Sequence, residues 1–189
     1  MDVVALSIPE VKLLKPPRFR DARGVFCEIY NRQLLSRGGI AVEFVQDNCS
    51  VSAVSGTIRG LHFQAPPMAQ AKIVTVMRGR MRDVVVDCRK GSPTFGQHIG
   101  VELDGEEWNQ LFVPEGFAHG FCTLEPDTMV LYKVSAPYAP ELDGGIAWND
   151  PDLGIDWPVA PDKAMVSEKD KQLPRLGDIS SPFTYRAPP

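Results

Sequence analysis

The chain has 189 residues, of which 43% are hydrophobic and 23% charged, a composition that excludes disordered and fibrous proteins. Its net charge of −4 argues against a general nucleic-acid binder, although a local cluster of Arg and Lys could still hold a small anion. The 17 prolines and 16 glycines indicate many short elements joined by tight turns, so we expect β-rich structure in a single domain over residues 1–189.

The first clear elements follow a turn predicted at residues 21–24, which read Asp-Ala-Arg-Gly. Residues 25–30 are typical of a short strand. Asn31 is a suitable cap for a helix that runs through Ser36 and is ended by the glycine pair at residues 38 and 39.

The segment from residue 41 to residue 134 is almost wholly strand-like, because its β-branched and aromatic runs are broken by Gly, Pro, Asp or Ser. Strands without helices between them cannot form a parallel sheet of βαβ units, so we predict an antiparallel sandwich or a jelly-roll barrel. Residues 78–79, Arg-Gly, indicate a two-residue hairpin loop. The predicted strands are residues 42–46, 57–64, 72–77, 80–87, 97–103, 110–113, 120–124 and 129–134.

The chain becomes rich in loops after residue 135. A short helix is predicted from Ser167 to Leu173, and residues 177–189 are expected to form a loosely held tail.

The four cysteines indicate the compartment. Cys27, Cys49, Cys88 and Cys122 are far apart in the sequence and show neither the spacing of a zinc site nor that of a disulfide scaffold. No apolar run approaches the roughly 18 residues of a membrane span, and the N-terminus lacks the basic start of a secretion signal. We therefore expect a reduced, cytoplasmic protein with no membrane and no nucleic-acid partner.

The three histidines are the first candidates for chemistry because they are so few. His62 alternates with Gly60 and Gln64 on one face of a predicted strand, where it could be a base, a metal ligand or a hydrogen-bonded core residue. On the same pattern Arg59 belongs to the opposite face. His119 lies in a Pro-Glu-Gly-Phe-Ala-His-Gly run that resembles the second motif of the cupin superfamily, whereas His98 lies in a plain strand context.

A metal site is the less favoured reading of these histidines. Metal-binding cupins carry two histidines one residue apart in a first motif, and this chain has no such pair, since His62 is followed by Phe63 and Gln64. Two barrel histidines and a carboxylate could still bind a metal, but a metal-free mechanism is favoured.

Three further side chains are candidates for acid–base chemistry. Tyr132 alternates with Val130 and Val134 and suits the role of an acid, or that of a core aromatic residue. Lys72 is the first residue of a predicted strand, where it could belong to a site or be an ordinary surface cation. Asp170 follows Ser167 by three residues and fits a capping box as well as a carboxylate that orients a histidine.

Taken together, segments along most of the chain resemble the dTDP-4-dehydrorhamnose 3,5-epimerase family, a group of cupin-like jelly-roll enzymes. The resemblance covers roughly residues 8 to 175. The matching stretches are, in chain order, residues 21–28, 44–48, 59–64, 69–72, 83–87, 91–96, 113–121, 131–133, 138–141, 148–151 and 154–158.

The resemblance implies epimerisation of a dTDP-linked 4-keto-6-deoxy sugar at C3 and C5, without metal or cofactor. The ketone at C4 acidifies the protons on both neighbouring carbons, so a base can form an enolate and an acid can return the proton to the opposite face. His62 is then the base, with its imidazole oriented by Asp170. Tyr132 is the acid, and Lys72 stabilises the developing charge on the C4 oxygen.

The resemblance also implies a set of substrate-binding residues and a homodimer with exchanged N-terminal strands, within about residues 1–45. Phe26 and Glu28 match positions that reach the nucleotide base in the neighbouring subunit's site, and Arg23 and Arg59 suit the diphosphate. The full set is Arg23, Phe26, Glu28, Gln46, Asn48, Arg59, Asp83, His119 and Tyr138.

Three departures from the family pattern leave the choice of substrate open. Cys49 stands where the family often has histidine, Pro137 where it often has an aromatic residue, and Met68 in a loop that is often more polar. Relatives with the same catalytic set epimerise C3 alone or C5 alone, so a single-centre epimerase stays an alternative. A nucleotide-sugar-binding protein without catalysis and a metal-dependent oxygenase are the other two.

Overall fold

The computed structural model describes residues 1–187, and antiparallel β-strands dominate its regular structure. Helices in this range are short: α1 (Arg32–Arg37), α2 (Glu168–Lys171) and 3-10 turns at Pro140–Leu142 and Leu176–Asp178. This is the all-β, cupin-like jelly roll with short peripheral helices that the sequence predicts. The strands are β1 (Asp2–Ala5), β2 (Lys12–Lys15), β3 (Arg18–Asp21), β4 (Gly24–Cys27), β5 (Gln46–Ser52), β6 (Thr57–Gln64), β7 (Lys72–Arg78), β8 (Arg80–Asp87), β9 (His98–Asp104), β10 (Gln110–Val113), β11 (Phe117–Thr123), β12 (Thr128–Val134), β13 (Asp143–Gly145) and β14 (Met165–Val166).

The strands form two sheets and one ribbon. The first sheet has the order β1-β2-β10-β7-β12-β5, so β5 is an edge strand. The second has the order β13-β6-β11-β8-β9, and β14 adds a short parallel pairing to β6. Strands β3 and β4 pair with each other outside both sheets.

Apolar side chains fill three layers, one between the sheets and one on the outer face of each. The inner layer includes Val74, Val85 and Phe121, which alternate inward along their strands. Helix α1 covers the outer face of the first sheet through Leu35. The segment after β13 covers the outer face of the second sheet, where Ile146 is fully buried.

The hairpin predicted at residues 78–79 is wrong, because the strands that flank it belong to different sheets. Strand β7 pairs with β10 and β12, whereas β8 pairs with β9 and β11. Gly79 has a φ of +82°, and a β-carbon there would collide with Thr128. The single-residue link at Gly79 is therefore a crossover between the sheets, and it requires glycine.

The strand predicted at residues 42–46 is also misplaced, since β5 begins at Gln46. Val42 and Phe44 alternate because they pack on the layer beneath α1, where the chain has no strand partner. The predicted caps are confirmed. The Oδ1 atom of Asn31 accepts from the amides of residues 33 and 34 at 3.0 and 3.2 Å, and Oγ of Ser167 accepts from the amide of Asp170 at 3.1 Å.

The expected loose tail is held against the barrel over much of its described length. Phe183 is buried and packs edge-on against Phe63, with ring centroids 5.4 Å apart. The amide of Tyr185 donates to the carbonyl of Lys90 at 2.9 Å. Composition alone indicates polarity here and gives no sign of these contacts, and residues 188–189 lie outside the described range.

Among residues 1–187, none of the helices has the length and apolar character needed to cross a membrane.

Candidate active site

A cavity of about 570 Å³ is lined by strands of both sheets and by the segment that contains α2. The second sheet contributes β6 and β11, and the first contributes β5, β7 and β12. Seven of the residues predicted for the site line this cavity: Asn48, Arg59, His62, Lys72, His119, Tyr132 and Asp170.

His62 and Asp170 form a hydrogen-bonded pair although 108 residues separate them in the chain. The Nε2 atom of His62 lies 2.7 Å from Oδ1 of Asp170. An ionised carboxylate only accepts hydrogen bonds, so the imidazole must carry its proton on Nε2. The free lone pair of the neutral ring is then on Nδ1, which becomes the basic atom.

Asp170 is fixed in place by three contacts, which makes it a rigid partner for the imidazole. Its backbone amide is capped by Ser167, and its Oδ2 accepts from the amide of Gly60 at 3.1 Å. Burial raises the pKa of this carboxyl, but the hydrogen bonds from His62, Gly60 and Ser167 outweigh burial and leave the pKa below its usual value. Asp170 thus has the amide contact of the predicted cap, while its carboxylate bonds His62 and Gly60 and does not close the second half of a capping box.

A β-bulge in β6 brings Arg59 and His62 to the same cavity, whereas simple alternation predicts opposite faces for them. His62 is opposite His119 on β11, and Arg59 is opposite Phe121, so β6 has one residue more than its partner between these pairs. His119 and Phe121 are two residues apart and share a face. The prediction that Arg59 faces away from His62 is therefore wrong.

Gly60 makes the bulge possible. Its φ is +116°, and a β-carbon on it would lie 2.6 Å from Cα of Gly120 and 2.7 Å from the carbonyl oxygen of His119. Strands β6 and β11 therefore approach each other at a point where neither can carry a side chain.

His119 and Asp83 form a second histidine–aspartate pair beside the cavity. The Nε2 atom of His119 lies 2.6 Å from Oδ1 of Asp83, whose side chain is fully buried. Asp83 does not line the cavity, and among the described residues its Oδ2 has no hydrogen-bond partner. Its place is behind His119.

Lys72 and Tyr132 reach the cavity from the first sheet, across from the two histidines. Burial lowers the pKa of Lys72 to about 8, against the opposing influence of the Asp143 and Asp83 carboxylates. Burial raises the pKa of Tyr132, although the hydrogen bond to Ser50 acts in the other direction. A buried phenol and a lysine whose pKa is lowered to about 8 thus face His62 across the cavity.

Hydrogen bonds of the Gln46 side-chain amide connect Asn48, which lines the cavity, with Tyr138 beside it. Nε2 of Gln46 donates to Oδ1 of Asn48 at 2.8 Å, and Oε1 of Gln46 accepts from the backbone amide of Tyr138 at 3.2 Å. Gln46 and the exposed Tyr138 therefore do not line the cavity themselves, but they adjoin a residue that does.

The three predicted residues of the N-terminal ribbon do not reach the cavity of their own chain. Arg23 pairs with Asp21 at 2.6 Å in the β3–β4 turn. Phe26 is 68% exposed, and Glu28 accepts from the side chain of Asn31.

Two contributors were missed by sequence reasoning. Lys169 lines the cavity and pairs with Asp143, to which Tyr138 also donates a hydrogen bond. Its position next to Asp170 was the available signal. Ser50 bonds the hydroxyl of Tyr132, and its signal was the polar alternation along β5.

His62 and His119 are hydrogen-bonded to different carboxylates, those of Asp170 and Asp83. In residues 1–187 no group of three or more His, Cys, Asp or Glu side chains is arranged to hold a metal ion.

Comparisons with known proteins indicate a single family. The family model described as dTDP-4-dehydrorhamnose 3,5-epimerase matches residues 5–178. A dTDP-4-dehydrorhamnose 3,5-epimerase of Sinorhizobium fredii is 49% identical over 181 residues, which make up 96% of this chain and 92% of that protein.

Solved structures agree in fold and in sequence. The dTDP-4-dehydrorhamnose 3,5-epimerase of Bacillus anthracis with TDP and PPi bound is 50% identical, with a TM-score of 0.89 over 92% of this chain and 98% of that one. The epimerase RmlC of Legionella pneumophila in complex with dTDP-4-keto-L-rhamnose is 40% identical, with a TM-score of 0.93 over 98% and 99% of the two chains. The chain therefore belongs to the dTDP-4-dehydrorhamnose 3,5-epimerase family.

Proposed function

We propose that this protein epimerises C3 and C5 of a dTDP-linked 4-keto-6-deoxyhexose through enolate intermediates, without metal or nicotinamide. The observation that carries the proposal is the placement of the His62–Asp170 pair and Tyr132 on the two facing sheets around one cavity, with Lys72 beside them. A sugar ring held between the sheets would meet a base on one side and an acid on the other.

The base step uses the geometry of the second sheet. Nδ1 of His62 takes the proton from C3 or C5, and the electron pair of the broken C–H bond moves into the enolate. Asp170 holds the ring and balances the positive charge that forms on it. Lys72, as an ammonium, stabilises the negative C4 oxygen.

The acid step uses the first sheet. Tyr132 delivers its proton to the opposite face of the same carbon, and the ketone is restored. The phenolate and the imidazolium then exchange protons with water to return to their starting states. His119, held by Asp83, completes the floor of the cavity next to His62.

The nucleotide part is proposed to lie toward the rim. Arg59 is exposed and anchored by Ser52 Oγ at 3.1 Å, which directs its guanidinium toward a diphosphate. Asn48 and Tyr138 flank the same opening through Gln46. The ligands bound in those two crystal structures, TDP with PPi and dTDP-4-keto-L-rhamnose, support a thymidine nucleotide as the carrier.

We also propose a homodimer in which the β3–β4 ribbon completes the partner's site. The ribbon lies outside both sheets and exposes Phe19 by 60% and Phe26 by 68%, and β5 is an unpaired sheet edge in residues 1–187. Arg23, Phe26 and Glu28 would then reach the nucleotide of the neighbouring subunit.

Mixing two inactive variants tests this exchange. If Arg23 acts across the dimer, R23A and H62A subunits that reassociate at random restore about a quarter of the wild-type sites, because half the dimers are mixed and each has one intact site. Recovery of no activity in verified mixed dimers, or a monomer by light scattering, would contradict the exchange.

The compartment is proposed from the thiols. All four cysteines are free, and burial raises the pKa of Cys88 to about 12 and that of Cys122 to about 11, so neither is a reactive thiolate. Such a set suits the reducing cytoplasm, and cell fractionation with an antibody tests this location.

Proton NMR of the dTDP-sugar in heavy water tests the function directly. We expect deuterium at C3 and C5 and formation of the L-rhamno product, both unchanged by a chelator. Incorporation at one carbon alone would indicate a single-centre epimerase. Absence of exchange would indicate a binding protein, and loss of activity on chelation would contradict the metal-free mechanism.

A further inference from the structure

The inner face of β5 supplies a polar contact to the acid of the proposed reaction. Asn48, Ser50 and Ser52 alternate on this face, while Cys49 and Val51 point outward and are exposed. Asn48 lines the cavity and Ser52 anchors Arg59. Ser50 does not line the cavity.

Ser50 bonds the atom on which the acid step depends. The hydroxyl of Tyr132 donates to Oγ of Ser50. In the pairing of β12 with β5, Tyr132 is opposite Asn48 and Ser50 is opposite Val130, so Ser50 is the diagonal neighbour of the tyrosine on the same face. The contact is therefore set by the sheet and not by a mobile loop.

We infer that Ser50 is a positioning residue for Tyr132, which accepts a hydrogen bond from the neutral phenol and donates one to the phenolate that is left after proton delivery. This inference rests on the proposed function. The C–H bond forms as the phenol O–H bond breaks, and the negative charge of the enolate moves to the phenolate oxygen. A serine hydroxyl both donates and accepts, so rotation about its C–O bond is enough to reverse the contact.

The burial of Tyr132 makes the hydrogen bond that Ser50 donates to its phenolate important. The surroundings of Tyr132 disfavour its charged form, and burial is the largest influence that raises its pKa, while the hydrogen bond with Ser50 opposes that rise. A hydrogen bond to a charged group is stronger than one between neutral groups. The stabilisation is therefore greatest after the proton has left, which favours the acid step over the preceding base step.

The test compares isotope exchange with product formation in three variants at saturating dTDP-sugar. We expect S50A to lower the rate of epimerised product about 10- to 100-fold, since it removes a hydrogen bond to a charged group, while solvent exchange catalysed by His62 changes less than about threefold. S50T keeps the hydroxyl and is expected to restore product formation to within about fivefold of wild type.

S52A is the matched control, because Ser52 lies on the same face of the same strand and contacts Arg59 instead. It is expected to raise KM and to leave the ratio of product to exchange unchanged. A fall of exchange and product by the same factor in S50A, with circular dichroism unchanged, would overturn the inference, as would failure of S50T to rescue a folded S50A defect. Absence of exchange in the wild-type protein would instead overturn the proposed function.

Discussion

His62 and His119 are directly opposite each other on neighbouring strands of the second sheet, yet each bonds a different aspartate. The aspartate of His62 comes from α2, outside the barrel, and that of His119 comes from β8, inside it. Two adjacent imidazoles are thus held by independent carboxylates. The exposed fraction of the side chain is 31% for His62 and 5% for His119, so His62 is the ring with access to a substrate.

Substitution of His62 is the most direct test of the base. H62A is expected to lower both deuterium exchange and product formation by about 10²- to 10⁴-fold, because the general base is lost. H98A removes a histidine on β9 that does not line the cavity, so it should behave as wild type. Equal activity of the two variants would show that another group removes the proton.

The activity is expected to fall as the pH rises through about 8. Burial lowers the pKa of Lys72 to about 8, and only its ammonium form can stabilise an enolate oxygen. Tyr132 is not the source of this decline, because burial raises its pKa above the usual value. The profile of kcat/KM against pH measures the effect, and K72R should move the decline to higher pH because a guanidinium stays charged. A wild-type profile that is flat to about pH 9.5 would contradict the role of Lys72.

The lowered pKa of Lys72 also makes the stability of the folded chain depend on pH. Because the pKa of Lys72 is lower in the folded chain than its ordinary 10.5, the unfolded chain binds more protons between about 8 and 10.5. Lys72 therefore makes the free energy of unfolding rise with pH between about 8 and 10.5. Below about pH 8 its buried ammonium destabilises the folded chain by the full amount. K72M should remove this contribution, which urea titrations at the two ends of the window would reveal.

The carboxylate of Asp170 is expected to stabilise the folded chain at neutral pH and to lose this effect in acid. Its pKa is below the ordinary 3.8, so its stabilising contribution is present above that value and is lost as the pH falls through the folded pKa. D170N should be about 1–3 kcal/mol less stable than wild type at neutral pH, with a difference that shrinks under acid. Urea unfolding at two pH values measures this. A constant difference would mean that the charge of Asp170 is not the cause.

Gly60 is expected to be the least replaceable glycine of the second sheet. G60A introduces both a disfavoured φ of +116° and a clash with Cα of Gly120, and should cost more than about 3 kcal/mol and abolish activity. G91A is the matched control: its φ is +79°, but a β-carbon there meets nothing within 4 Å, so only about 1 kcal/mol of strain is expected. Equal thermal shifts in the two variants would contradict the importance of the close approach.

Local patterns allowed the strands around the site to be predicted well, but not their partners. Residues 57–64 and 80–87 match β6 and β8 because β-branched alternation is a short-range signal. Which strand pairs with which depends on contacts between distant residues, so the crossover at Gly79 was misread as a hairpin. The bulge at Gly60 was also not predicted. One added residue turns the later side chains of the strand to the opposite face, so simple alternation placed Arg59 wrongly.

The site was predicted partly from residue types and partly from the family resemblance. His62 and Tyr132 stand out by their chemistry and their alternation. The link from His62 to Asp170 spans 108 residues, and a capping box explains Asp170 equally well from sequence alone. Lys169 and Ser50 gave only weak signals, a place next to Asp170 and polar alternation along β5, because their partners Asp143 and Tyr132 are distant in the chain.

Asp170 belongs to a segment that contacts the second sheet through β14, through α2 against β6 and through the ion pair of Lys169 with Asp143. The pairings among strands β5 to β12 involve none of the residues of this segment. If Asp170 supports the base as proposed, activity depends on the docking of this segment, and its local opening would abolish activity reversibly. On gentle heating, activity should disappear before the β-sheet signal in circular dichroism does.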